Sequence, residues 1–125
     1  MKIACQERLL PGESFRQKAR SAAQIGFEGI EINAGFSVSG GNSLANRIAD
    51  IRSAVEEFDV EISSICGGHP NDFLAEDPNQ RQTAVEAYEQ SLNLAGQLGV
   101  TGPILVPIFG GPQISDPWPL RSCES

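Results

Sequence analysis

Among residues able to do chemistry, Glu31 stands out, because it lies inside an apolar run, Gly29-Ile30-Glu31-Ile32-Asn33. A carboxylate there costs several kcal/mol, to order of magnitude, unless it is paired or bound to something. If Ile30 and Ile32 face a core, Glu31 faces the other way. It then either lines a substrate cavity or is a structural carboxylate bonded to Lys2, an arginine or backbone N–H groups. His69 is the single histidine. It sits in Gly67-Gly68-His69-Pro70, just after Cys66. A metal-ligating role would require further His, Asp or Glu partners, whereas a sugar or phosphate contact would not. The bland alternative is a solvated loop histidine. Glu7 is the third candidate substrate contact, although its position also suits a surface-loop glutamate. Cys66 reads as a small packing residue, since a nucleophile would need a base beside it. Gly110-Gly111-Pro112 lacks the Lys and Ser/Thr of a phosphate loop. Asp116-Pro117-Trp118 reads as a loop anchored by one aromatic.

These residues need elements to hold them. Four strand-like runs alternate with three amphipathic helical stretches. The expected strands are Lys2 to Cys5, Gly29 to Asn33, Glu61 to Cys66 and Ile104 to Val106. Ser14 can cap a helix from Phe15 to Ile25, with Phe15, Ala19, Ala22 and Ala23 inward and Gly26 as its left-handed cap. Ser43 or Asn42 can cap a second helix, Leu44 to Phe58, whose Leu44, Ile48, Ile51, Val55 and Phe58 make one apolar face. Asp77-Pro78 opens a third helix running to about Leu98, with Val85, Tyr88, Leu92 and Ala95 inward. A weak repeat relates Ala22-Ala23-Gln24-Ile25-Gly26-Phe27-Glu28-Gly29 to Ala95-Gly96-Gln97-Leu98-Gly99-Val100-Thr101-Gly102.

Strands starting roughly 30–40 residues apart with helices between them are βα units, which pair in parallel. The first strand-to-helix connection has one glycine, not the Gly-rich turn of a dinucleotide-binding unit. The expectation is α/β, with parallel (β/α) units forming about half of a TIM barrel from four strands and three helices. Residues 1–107 would be that N-terminal half, and residues 108–125 a Gly/Pro-rich loop or truncated tail. A whole barrel takes ~250 residues, so the chain reads as a fragment with two open edges, a setting that favours a homodimer.

Composition narrows the classes further. The net charge of -7 and the scattered nine basic residues disfavour nucleic-acid binding. No apolar run is long enough to span a membrane. Three cysteines without metal-type spacing fit a reducing cytoplasm.

Several phrases together suggest a family. Glu7-Arg8-Leu9-Leu10-Pro11-Gly12-Glu13-Ser14 and Gly26-Phe27-Glu28-Gly29-Ile30-Glu31-Ile32 resemble the opening of xylose-isomerase-like barrels. So do Ser63-Ser64-Ile65-Cys66-Gly67-Gly68-His69 and Leu98-Gly99-Val100-Thr101-Gly102. This superfamily includes sugar-phosphate isomerases and epimerases, and an endonuclease branch that uses several early histidines; one histidine argues against that branch. The resemblance implies a (β/α)8 fold and a divalent metal (Mn²⁺, Mg²⁺, Co²⁺ or Zn²⁺) held by later strands. It also implies two glutamates that move a proton beside a carbonyl. It therefore implies a parent sugar isomerase or epimerase, with this chain inactive alone and holding no metal. Only Glu31 and His69 match first-half positions that line the substrate site in this family; Glu7 stands as a candidate substrate contact from its place after the first strand. The alternatives are a self-associating half-barrel that binds a small ligand, and a metal-dependent hydrolase or lyase on the same barrel.

Overall fold

The structure, a computed structural model, describes residues 1–34, 43–67, 71–100 and 103–104. Its elements are β1 (Ala4–Gln6), α1 (Phe15–Ile25), β2 (Gly29–Asn33), α2 (Leu44–Phe58), β3 (Glu61–Cys66), α3 (Pro78–Gln97) and β4 (Pro103–Ile104). Short 3-10 turns at Glu7–Leu9 and Asn71–Leu74 follow β1 and precede α3. The four strands form one parallel sheet in chain order, β1-β2-β3-β4. A doubly wound sheet reverses its order at a switch point; these four strands have no such reversal.

One core explains why the helices gather on one face. Ile30, Ile32, Ile62 and Ile65 from the strands join Phe15, Ala19 and Ala22 of α1, Leu44, Ile51 and Ala54 of α2, and Ala95 of α3. Ile30, Ile32, Ile51 and Ile65 are the largest fully buried side chains. Each contributes about 1.5–3 kcal/mol by leaving water. The other sheet face is left for Gln6, Glu31 and their neighbours.

The helix caps come from local chemistry. The Ser14 hydroxyl accepts from the Gln17 N–H, and the Gln17 side chain accepts from the Ser14 N–H, so two orphan donors at the start of α1 are satisfied reciprocally. Ser43 and Asp77 cap α2 and α3 through their side chains. The three helices also end alike. The N–H of Phe27 bonds the carbonyl of Ala22, that of Val60 bonds Val55, and that of Val100 bonds Ala95. In each case one residue adopts positive φ just before the bonded N–H: Gly26 at 101°, Asp59 at 54° and Gly99 at 73°. This is the six-residue Schellman closure, and it is the physical content of the repeat seen in the sequence. The second helix makes the same turn without a glycine.

Two expectations change, and one is met as far as the described residues reach. The first strand is Ala4–Gln6 rather than Lys2 to Cys5, and Ile3 is exposed. In the fourth, Ile104 is paired to Cys66, while Val106 lies outside the described residues. On α3, Val85 and Leu92 face solvent. The inward stripe is Ala84, Ala87, Tyr88, Ser91, Leu94, Ala95 and Leu98, half-buried or buried. Small residues let α3 lie close to its neighbours. Choosing the larger apolar side chains turned the predicted face by about one position.

Candidate functional site

Glu31 sits in the middle of a polar row that crosses three strands. The register places Gln6 beside Glu31, and Glu31 beside Ser64. Gln6 Nε2 donates to Glu31 Oε1 at 2.8 Å, and Ser64 Oγ donates to Glu31 Oε2 at 2.8 Å. Arg8 Nε donates to Gln6 Oε1 at 2.9 Å. All three residues of the row are half-buried, on the sheet face opposite Ile30 and Ile32. Gln6 ends β1, while Glu31 is the third of five residues in β2 and Ser64 the fourth of six in β3, so the row leads up to the C-terminal ends where parallel α/β folds place their ligands.

Ser64 reaches this row because β3 is irregular. The β2–β3 register shifts between Ile30 and Glu31, so that Ile62 pairs with Ile30 but Ser64 pairs with Glu31. Buried positions in β3 are therefore three apart, at Ile62 and Ile65, instead of alternating. The bulge turns Ser64 onto the polar face. Lower on that face, a Cβ built on Gly29 would lie 3.2 Å from the Ala4 Cβ and 3.4 Å from the Ser63 Cβ, so glycine permits the close approach of the three strands.

Glu7 is not a surface-loop residue. It is 7% exposed, and the chain turns inward there because β1 stops at Gln6. Its Oε1 accepts from Arg47 Nη2 at 2.6 Å and lies 3.4 Å from Lys18 Nζ. Its Oε2 accepts from the Asn33 N–H at 3.2 Å. Arg47 Nη1 donates to the Asn33 carbonyl at 2.6 Å. Together the Glu7–Arg47 pair grips both main-chain groups of the last residue of β2. A side-chain pair thus replaces the hydrogen bonds that a longer β1 would have made. Arg47 also lies over the Phe15 ring, 5.9 Å from its centroid.

The structural alternative for Glu31 takes a different form from the one expected. Its partners are Gln6 and Ser64, while Lys2 is paired with the exposed Glu61. That pairing raises the Lys2 pKa, through its hydrogen bond to Glu61 first and the carboxylate's charge second. His69 and Cys123 lie outside the described residues, as do Gly110, Gly111, Asp116 and Trp118. Cys5 and Cys66 are half-buried free thiols.

Among the described residues, no three His, Cys, Asp or Glu side chains come together to hold a metal ion. Both oxygens of Glu31, and both of Glu7, are occupied by the protein's own donors.

Sequence reasoning found Glu31. It missed Ser64 and Arg47. The three-residue spacing of Ile62 and Ile65 around Ser63-Ser64 was the available signal for the first. Arg47 carries no such signal, since an arginine beside Ile48 on an amphipathic helix reads as solvated.

The sequence is 29% identical over 114 residues to 3-dehydro-D-guloside 4-epimerase of Escherichia coli strain K12, an alignment covering 89% of this chain and 39% of that enzyme. The chain resembles a sugar epimerase. Its fold matches the crystal structure of apo 3-keto-D-glucoside 4-epimerase from E. coli with a TM-score of 0.71 at 23% identity, over 98% of this chain and 46% of that one. At that identity the match speaks for the fold. The chain spans less than half the length of either protein. No protein-family profile matches the sequence. Among the described residues, no helix is long and apolar enough to cross a membrane.

Proposed function

We propose that these βα units are the N-terminal half of a (β/α)8 barrel of the xylose-isomerase-like kind, acting on a keto-sugar glycoside. The observation that carries the reading is the Gln6–Glu31–Ser64 row, a polar lining on the face of a parallel sheet that, among the described residues, no helix covers. The similarity to a 4-epimerase of a 3-keto sugar supports it and suggests the reaction class. A ketone at C3 acidifies the hydrogen on C4. A base removes that proton, the C–H electron pair moves into the carbonyl as an enolate, and a proton returned to the opposite face of C4 gives the epimer. Atoms and oxidation level balance without a further reagent.

The described part of the chain is assigned the binding share of this work. Glu31 holds Gln6 and Ser64 in place for the sugar, and Glu7 with Arg47 fixes the end of β2 beside them. His69 is proposed as a sugar contact from the loop after β3. A divalent metal belongs to the proposal only for the later strands of such a barrel. The 125-residue chain alone is expected to exchange no sugar C–H hydrogen with solvent. The test is saturation-transfer NMR with methyl 3-keto-D-glucoside. Binding that falls about tenfold or more in the Gln6→Ala/Ser64→Ala double variant, two lost hydrogen bonds at roughly 1 kcal/mol each, supports the reading. No binding by the wild-type chain refutes it.

Self-association is a second reading with its own observation. Ile3, the residue before β1, and Ile104, in β4, are 53% and 43% exposed at the two outer edges of the sheet. Pairing of these edges between two copies would cover both. A single monomeric mass by light scattering across a concentration series would refute it.

A further inference from the structure

The row around Glu31 has a fixed hydrogen-bond polarity, and from it we infer that the site orients a bound keto sugar, with Gln6 donating to one ligand oxygen and Ser64 accepting from a neighbouring ligand hydroxyl. The inference rests on the sugar-site reading above and specifies how its ligand lies.

The polarity follows from two groups whose hydrogen-bond character is not adjustable. An arginine has donors only, so the end of Gln6 that meets Arg8 Nε must be the amide oxygen. A carboxylate has acceptors only, so the end of Gln6 that meets Glu31 must be the NH₂. The amide cannot flip without losing both bonds. One of its two N–H groups is used by Glu31, and the second is left to donate. Ser64 has a single O–H, and Glu31 Oε2 takes it. What Ser64 can offer a ligand is therefore a lone pair.

The face thus presents one donor and one acceptor, spaced across the width of one carboxylate. A diol can satisfy such a pair, but either of its hydroxyls can also serve either partner. A carbonyl flanked by a hydroxyl fits in one orientation only: the ketone oxygen takes the Gln6 N–H, and the hydroxyl proton goes to Ser64. Glu31 touches neither ligand atom. It is a positioning residue that sets which way its two neighbours point.

The test uses the 125-residue chain and three probes: methyl 3-keto-D-glucoside and its 2-deoxy-2-fluoro and 4-deoxy-4-fluoro analogues. Fluorine is close to a hydroxyl in size but cannot donate. For the wild-type chain, one of the two analogues should bind about fivefold more weakly than the parent, the worth of one hydrogen bond. In Glu31→Gln, the new amide N–H faces Ser64, so Ser64 turns its own proton outward and becomes a donor. That analogue should then bind within about twofold of the parent. Ser64→Ala, which removes the acceptor, should also abolish the discrimination. Equal wild-type affinity for all three probes overturns the polarity argument while leaving the sugar site standing. So does discrimination that survives in Ser64→Ala. Failure of the wild-type chain to bind the parent probe overturns the sugar-site reading and this inference with it.

Discussion

Breaking the Glu7–Arg47 pair is the sharpest test of how this fold holds its site. The two side chains are 10% and 15% exposed, so solvent screens them little. Removing one member of a well-buried ion pair costs about 3–5 kcal/mol, because the other charge stays behind. The remaining solvent access brings the expectation for Glu7→Gln or Arg47→Met to about 2–4 kcal/mol. In a domain of this size that lowers Tm by about 10 °C. Each single variant also loosens Asn33, whose N–H is held by Glu7 and whose carbonyl is held by Arg47. The double variant leaves only Lys18, 20% exposed, without its Glu7 partner, so the costs should not add in full. We expect it to be destabilised by about 3–4 kcal/mol, giving a coupling energy of about 2.5 kcal/mol at the middle of these ranges. Urea denaturation of the four proteins measures the cycle, and hydrogen exchange at the Asn33 amide reads the local effect. Additive losses, or single losses below about 0.5 kcal/mol, would show that the pair is a surface contact and refute the reasoning.

Three further outcomes follow from named contacts. Asp59→Gly should stabilise the chain by about 0.5–1 kcal/mol in thermal melts, because Asp59 has positive φ where α1 and α3 use glycine, and its charge sits at the C-terminus of α2. Gly29→Ala should cost about 1–2 kcal/mol, since its Cβ would press on Ala4 and Ser63 between adjacent strands. The hydrogen bond from Arg16 holds the Glu57 carboxyl below its ordinary pKa. A depressed carboxyl stabilises the fold above its unfolded pKa, and that contribution disappears as pH falls through the folded value. Arg16→Gln should therefore raise the Glu57 pKa in an NMR carboxyl titration and flatten this part of the acid dependence of stability.

Strand and helix boundaries were readable where one physical signal dominated. The Ile30-Glu31-Ile32 alternation, the Ser14 and Asp77 caps and the Gly26 and Gly99 turns all appear where the sequence puts them. The misreadings came from places where two signals compete. On α3 the large apolar residues and the small ones define different faces, and close packing chose the small ones. In β3 a bulge overrides the two-residue period, which hid Ser64. Glu7 looked like a loop residue because its partner Arg47 is 40 positions away in sequence. Glu31 was conspicuous as a charge in an apolar strand, but whether it faced a ligand or the protein depended on Gln6 and Ser64, and only the register brings those together.

The central claim is that the Gln6–Glu31–Ser64 face receives a keto sugar. A residue-resolved ¹H–¹⁵N titration of the chain with methyl 3-keto-D-glucoside tests it most directly, because the Gln6 side-chain NH₂ reports the site itself. The expected result is a saturable shift of that NH₂ and of the Glu31 and Ser64 amides, with α1 and α2 unmoved. Saturable shifts confined to the helical face, or none at all, would contradict it.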